Sequence, residues 1–280
     1  MKRVFAVHDI SGIGKCSLTA AIPIISALGA ECNPVPTAVL SSHTGNLTGY
    51  TFRDLTDDMT AYVSQWKSLG IFPDCIYSGY LASGKQTEIV KYILKLFSDS
   101  SPIYICDPAM ADSGKLYTGF DESFVKDMAE LCKNAYVITP NLTEAALITD
   151  TEYKTETDDK YLDDLLCKLK AFTKRYIILT GVNTDKLKTG CCVYDKETDK
   201  EEYYSSIKYP GIYYGTGDIF TSVLCGCAVK GIDIFKAAEI ALDFTSKSIK
   251  ETYESKTDTR FGVAFEKYIP LLTEVKNELR

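Results

Sequence analysis

The chain has 280 residues, 45% of them hydrophobic and 25% charged, with a formal net charge of −7. This is a globular composition with room for one large α/β domain or two small ones, and its acidity excludes broad binding to nucleic acid or acidic membranes while leaving nucleotides open. Ten cysteines with no C-x-x-C pair, and His8 and His43 as the two histidines, exclude a usual zinc framework, and no apolar stretch approaches a membrane span.

In chain order, Val4-Phe5-Ala6-Val7 reads as a buried strand, followed by a polar glycine turn and a helix from about Ser17 to Leu28. That first apolar run is too short for a signal peptide, so a reducing cytoplasm is the expected compartment. From Val35 to about Arg53, β-type residues mix with Ser, Thr and Gly, which suits a short strand and a flap. Cys75-Ile76-Tyr77 leads through Ser78-Gly79-Tyr80 to a helix near Gln86 to Phe97. Ile103 to Cys106 ends at Asp107-Pro108, and Tyr136 to Ile138 ends at Thr139-Pro140-Asn141 before another helix. The acidic stretch Thr151 to Asp164 suits a loop and a solvated helix start. Tyr176 to Leu179 ends at Thr180-Gly181, and Cys191 to Tyr209 reads as a β-hairpin with a charged turn. Gly215-Thr216-Gly217-Asp218 then opens an apolar helix, Ile219 to Val229. Short strands alternating with helices predict an α/β fold with a mainly parallel sheet, helices on both faces and a small β flap, in one domain over 1–280. Cys75, Cys106, Cys132, Cys167, Cys225 and Cys227 lie within apolar stretches and are expected as small core residues.

In such sheets ligands bind beyond the carboxyl ends of the strands, so the polar residues there carry the chemistry. Two glycines before Asp218 allow a tight turn and a close approach of backbone N–H groups to a ligand at a positive helix end. Asp218 itself reads either as a helix cap or as a base that takes a proton from an attacking hydroxyl. Asn141 and Glu144 have the spacing of a capping box, which spacing alone favours. The alternative is that they face phosphates and a Mg²⁺ ion through water ligands. Asp107 is a turn former or a member of a metal or phosphate network, and Asp112 and Lys115 follow in a loop that could reach the same place. Ser11-Gly12-Ile13-Gly14-Lys15-Cys16 fails as a Walker A loop: Asp9 stands where its first glycine belongs, and Cys16 replaces its Ser/Thr. A turn from strand to helix that lines a substrate pocket is the better reading. His43 is either an exposed flap residue or a ring-stacking or hydrogen-bonding contact.

Together, Gly215 to Asp218, Thr139-Pro140-Asn141-Leu142-Thr143-Glu144, Cys106-Asp107-Pro108-Ala109-Met110-Ala111-Asp112 and Ser78-Gly79-Tyr80-Leu81 resemble the pyridoxal kinase branch of the ribokinase-like superfamily, in order from about Arg3 to about Thr245. Ser41-Ser42-His43-Thr44-Gly45 is similar to the vitamin B6 kinase form of the flap. The resemblance implies a three-layer α-β-α fold and ATP-dependent phosphorylation of the 5′-hydroxymethyl group of pyridoxal, pyridoxine or pyridoxamine. It implies Asp218 as base, with Gly215, Thr216 and Gly217 as anion hole. Asp107, Asn141, Glu144 and Thr180 are implied as the ATP and phosphate network, with Asp107 and Glu144 near Mg²⁺ through water. Asp9, Ser11, His43, Thr44 and Tyr80 would line the B6 pocket. The hairpin and Ser206 to Tyr213 would flank the adenine, with the helix beginning near Phe235 behind it. A homodimer and an assisting monovalent cation such as K⁺ are also implied.

Two positions depart from the pattern. Asp9 stands where many pyridoxal kinases carry Ser, and Asp9-Ile10-Ser11-Gly12 is closer to hydroxymethylpyrimidine kinases of thiamin synthesis, the nearest alternative. Ala111 stands where glycine is common. A sugar kinase suits the His43 flap and Tyr80 less well, and a non-catalytic sensor has no need of a base at Asp218.

Overall fold

The computed structural model describes residues 1–155, 157–185 and 187–275. In chain order the elements are β1 (Arg3–Ser11), α1 (Ser17–Ala27), β2 (Glu31–Leu40), β3 (Phe52–Asp54), α2 (Thr56–Ser68), β4 (Cys75–Ser78), α3 (Gly84–Leu96), β5 (Ile103–Cys106), β6 (Ala111–Asp112), β7 (Lys115–Leu116), α4 (Glu122–Cys132), β8 (Val137–Ile138), α5 (Leu142–Ile148), α6 (Asp159–Leu169), β9 (Tyr176–Asp185), β10 (Lys188–Asp195), β11 (Lys200–Ile207), α7 (Thr216–Val229), α8 (Ile234–Glu254) and α9 (Ile269–Thr273). Among the described residues the main sheet has nine strands in the order β11-β10-β9-β8-β5-β4-β1-β2-β3. Pairing is parallel from β2 through β1, β4, β5 and β8 to β9, and antiparallel at β2–β3, β9–β10 and β10–β11.

Side chains alternate across each strand, and this splits the core in two. Phe5, Val7, Ile76, Tyr104, Cys106, Ile138 and Ile177 pack on one face with buried residues of α2 to α6. Val4, Ala6, Cys75, Tyr77, Ile105, Val137 and Ile178 pack on the other with α1, α7, α8 and α9. The strands are apolar on both faces because both faces are covered, the condition for a parallel sheet.

Most expected elements are present, and several boundaries move. Strand β2 begins at Glu31, before the expected Val35, because it pairs with β1 from Arg3 onward. Strand β9 does not end at Thr180. It passes through a bulge at Gly181, whose φ is +72°, and continues as the partner of β10. What stops near Thr180 is the parallel pairing, whose last contact is the bridge Asn141–Thr180. Cys167 is exposed, contrary to expectation: α6 turns Leu165, Leu166 and Leu169 inward and Cys167 faces the opposite side. Of the acidic stretch, Glu156 lies outside the described residues, and the helix begins at Asp159. Helices α2 and α4 were not read from the sequence, because α2 buries only Thr56, Met59 and Val63 and α4 is interspersed with charge.

Helix α7 lies against α1, and a Cβ at Gly226 would overlap the Leu28 side chain. Gly226→Val is expected to destabilise the protein by about 1–3 kcal/mol through overpacking. Urea unfolding should show a lower midpoint while the folded fraction keeps its catalytic constants.

Candidate active site

Parallel pairing places Val7 opposite Ser78, Ser78 opposite Cys106, and Cys106 opposite Ile138. The residues that follow them, His8 to Ser11, Gly79-Tyr80, Asp107 and Thr139 to Asn141, therefore share one edge of the sheet, and the start of α7 meets them there. Gly215 caps α7 with φ +76°, and a Cβ at this position would approach Lys15 O to 2.6 Å. The first bond to the cap carbonyl comes from Ile219 N–H. The amides of Thr216, Gly217 and Asp218 precede it and have no intrahelical acceptor, which leaves them for an anion.

Asp218 occupies this first turn but does not cap it, since α7 has no side-chain cap. Its Oδ1 stands 2.9 Å from His8 Nε2 instead. The other side of that imidazole, Nδ1, is 3.1 Å from Asp9 Oδ1, and Ser11 Oγ donates to Asp9 Oδ2 at 2.8 Å. Backbone N–H groups of Asp9 and Tyr80 also approach Nδ1, each at 3.2 Å. The carboxylates suit an imidazolium and the amides suit a neutral ring, but both forms carry a proton on Nε2. Burial pulls the His8 pKa down, yet Asp218 and Asp9 outweigh it and push the value up to about 10, so the imidazolium prevails at neutral pH. Burial opposes ionisation of Asp9 too, but bonds from His8, Ser17 and Ser11 hold its carboxyl below the ordinary range.

His8 is the residue that sequence reasoning passed over. Strand parity could have found it: His8 follows Val4 and Ala6 on the face covered by α7.

Asp107 lies deeper along the same edge. The Thr221 hydroxyl donates to its Oδ2 at 3.3 Å, and a Cβ at Gly217 would lie 3.9 Å from the same oxygen. Burial first, then the charge of Asp218, raise its pKa to about 7 against the opposing pull of His8 and Thr221. Glu144 closes the expected capping box with Asn141: Asn141 N–H donates to Oε2 at 2.9 Å, and Glu144 N–H to Asn141 Oδ1 at 3.0 Å. Glu144 also does more than cap. Its Oε1 accepts from Met110 N–H at 3.1 Å, and Asn141 Nδ2 donates to Ala111 O at 2.8 Å, so the pair fixes the loop after Asp107. Burial and the charge of Asp107 raise the Glu144 pKa well above the carboxylate range.

Other expected residues lie at the rim or in supporting positions. Thr180 Oγ1 donates to Pro140 O at 3.4 Å. Asp112 and Lys115 pair in the small β6–β7 hairpin and are exposed. The Ser11 to Cys16 turn is no phosphate cradle, since Gly12 and Ile13 N–H donate to Leu40 O and Ser41 O. His43 is buried rather than an exposed flap residue. Its Nδ1 accepts from Gly45 N–H at 3.0 Å, so Nε2 carries the proton and donates to Arg260 O at 2.6 Å. The ring lies 5.1 Å from that of Tyr214, so His43 ties the flap to the approach of α7. Thr44 follows, half-buried. Tyr80 packs its ring 5.6 Å from Phe120, and burial first, then Asp9, raise its phenol to about 12, which keeps it neutral.

Residues 13–261 match the family model described as Phosphomethylpyrimidine kinase. The chain is 26% identical to a pyridoxal kinase of Arabidopsis thaliana, over 90% of this chain and 82% of that protein. A Bacteroides thetaiotaomicron protein solved in an orthorhombic form with pyridoxal is 38% identical, with a TM-score of 0.92 over 99% of this chain and 97% of that one. A pyridoxal kinase from Lactobacillus plantarum is 28% identical, with a TM-score of 0.88 over 98% and 97%.

The carboxyl at Asp107 has a direct consequence for stability. Its folded pKa, about 7, lies above the ordinary 3.8, so the folded state holds the extra proton and stability falls as pH rises from about 4 to about 7. Asp107→Asn removes that loss. In urea unfolding without ligands, the variant should be more stable than the wild type at pH 8, and the difference should shrink towards pH 4.

Proposed function

The chain belongs to the phosphomethylpyrimidine kinase family and, within it, to the vitamin B6 kinases of the ribokinase-like superfamily, and on that premise we propose that it transfers the γ-phosphoryl group of ATP to the 5′-hydroxyl of pyridoxal, pyridoxine or pyridoxamine. The observation that carries this reading is a first-turn carboxylate that leaves its helix uncapped, beside amides available to an anion. Asp218 takes the proton of the 5′-hydroxyl as its oxygen bonds to the γ-phosphorus. The bond from that phosphorus to the β-phosphate oxygen breaks, and ADP leaves with the electron pair. The Thr216, Gly217 and Asp218 amides, with Gly215 shaping the turn, receive the charge that develops on the phosphoryl oxygens.

Asp107 fits an Mg²⁺ neighbour: it is buried, carries one weak hydroxyl donor and is held towards protonation by burial first and then by the charge of Asp218, a state that a cation would reverse. Glu144 already accepts backbone N–H groups on both oxygens, so it fits only an outer position through water. The ion, when bound, would neutralise phosphate charge. Asn141 and Thr180 border the phosphates, and the exposed segment from Ser206 to Tyr213 with the start of α8 borders the adenine. Asp9, Ser11 and Tyr80 face the B6 ring, with His43 and Thr44 shaping the flap above it. The same reading includes a single kinase domain, a homodimer, a monovalent cation such as K⁺ and a cytoplasmic location. The homodimer and the cation rest on the resemblance of the motifs, the single domain and the location on the composition of the chain. No helix among the described residues is long and apolar enough to cross a membrane.

Asp218→Asn should lower kcat by about 10²–10⁴-fold while calorimetry still detects ATP binding. Unchanged turnover would remove Asp218 from the base role. A hydroxymethylpyrimidine substrate is the second reading, motivated by the acidic Asp9 at the ring end of β1. In a coupled assay, kcat/KM for the best B6 vitamer should exceed that for the pyrimidine by about tenfold or more, and the reverse order would transfer the assignment.

A further inference from the structure

His8 is the one imidazole at this edge, and every side of it is engaged. Its residue is 1% exposed. Nε2 reaches Asp218 on α7 at 2.9 Å and Nδ1 reaches Asp9 at 3.1 Å. The Tyr77 ring meets it edge-on at 5.8 Å. On the remaining side stands Gly79, where any Cβ would overlap the imidazole. The loop after β4 is therefore shaped to admit this ring. Tyr77 and Tyr80 from β4 and its loop, Cys16 before α1, and Asp107 after β5 are the other titratable groups around the site. Burial raises the pKa of each, so all but Asp107 stay neutral near pH 7.

We propose that His8 is a positioning residue of the phosphoryl transfer, holding one oxygen of Asp218 so that the other faces the acceptor hydroxyl, and tying the base to Asp9 on the substrate side. The geometry assigns the two oxygens different tasks. Oδ1 of Asp218 is occupied by Nε2, whereas Oδ2 has no hydrogen-bond partner among the described residues. A carboxylate held at one oxygen loses rotational freedom and keeps its second lone-pair set directed outward. His8 does not itself take the substrate proton, because Nε2 already carries one in either form of the ring. On the other side, Asp9 is fixed by His8 and by the Ser11 hydroxyl. A substrate group that contacts Asp9 is thereby registered against Asp218 through one rigid ring.

This inference rests on Asp218 being the base, and the test separates the two. Steady-state constants for pyridoxal and ATP are measured on the full chain carrying His8→Ala, His8→Gln, Gly79→Ala, His8→Ala with Gly79→Ala, and Asp218→Asn. His8→Ala should lower kcat by about 10–100-fold, the scale of a misplaced catalytic group, with KM for ATP within about twofold of the wild type. His8→Gln, which retains a donor, should recover part of that loss. Gly79→Ala should displace the ring and lower kcat comparably. The double variant should be no worse than His8→Ala alone, because both changes break one interaction.

Should His8→Ala fail to fold, the His8→Gln and Gly79→Ala variants still decide. Wild-type kcat in these variants, or losses that multiply in the double variant, would overturn the proposal. A fully active Asp218→Asn would overturn the base assignment and this inference with it. An inactive Asp218→Asn beside fully active His8 variants would overturn this inference alone.

Discussion

The arrangement depends on one constraint: β1, β4, β5, β8 and β9 run parallel, so all of them point their carboxyl ends towards the same edge of the sheet. Each strand then contributes a polar residue at that edge. A parallel sheet must be covered on both faces, and the helices that cover it close the sides of this edge. Helix α7 belongs to the covering layer, yet its first turn reaches the edge, so its free amides and Asp218 meet residues from the strands. In the proposed phosphoryl transfer this combination supplies a place for negative charge next to a carboxylate, both on elements with little freedom to move.

The same convergence creates an electrostatic difficulty. Asp9, Asp107, Asp218 and Glu144 are drawn into a region with little water, and two of them respond by holding their protons more tightly. The protein answers unevenly. His8 places one positive charge between Asp9 and Asp218, and its bond to Asp9 helps hold that carboxyl below the ordinary range. Glu144 is surrounded by backbone N–H groups and becomes part of the scaffold. Asp107 is left under-compensated, at a cost to the ligand-free fold. Structure and function thus divide the carboxylates by their surroundings, because the side-chain chemistry is common to all four.

The flap shows a similar division. His43 belongs to a motif that resembles a ring contact, and its ring nitrogens are nonetheless bonded to the backbone of Gly45 and Arg260. Its contribution is to hold the flap, the approach to α7 and the segment near Arg260 in one arrangement.

Local sequence was enough to set much of this. Apolar runs ending in polar residues determined the parallel sheet and its functional edge, because burial on both faces demands such runs. Gly215 determined the tight turn into α7, because its left-handed backbone and the close approach of Lys15 O suit glycine. Asn141 and Glu144 determined their own capping box through bonds three residues apart. Tertiary structure decided the rest, wherever the partner is distant in sequence. It sent Asp218 to His8 instead of to its own helix, continued β9 beyond Thr180 by giving it β10 to pair with, and paired Asp112 with Lys115 in an exposed hairpin. Hydrogen bonds within a turn are encoded by adjacent residues, whereas the bond between residues 8 and 218 exists only once the sheet has brought β1 under α7.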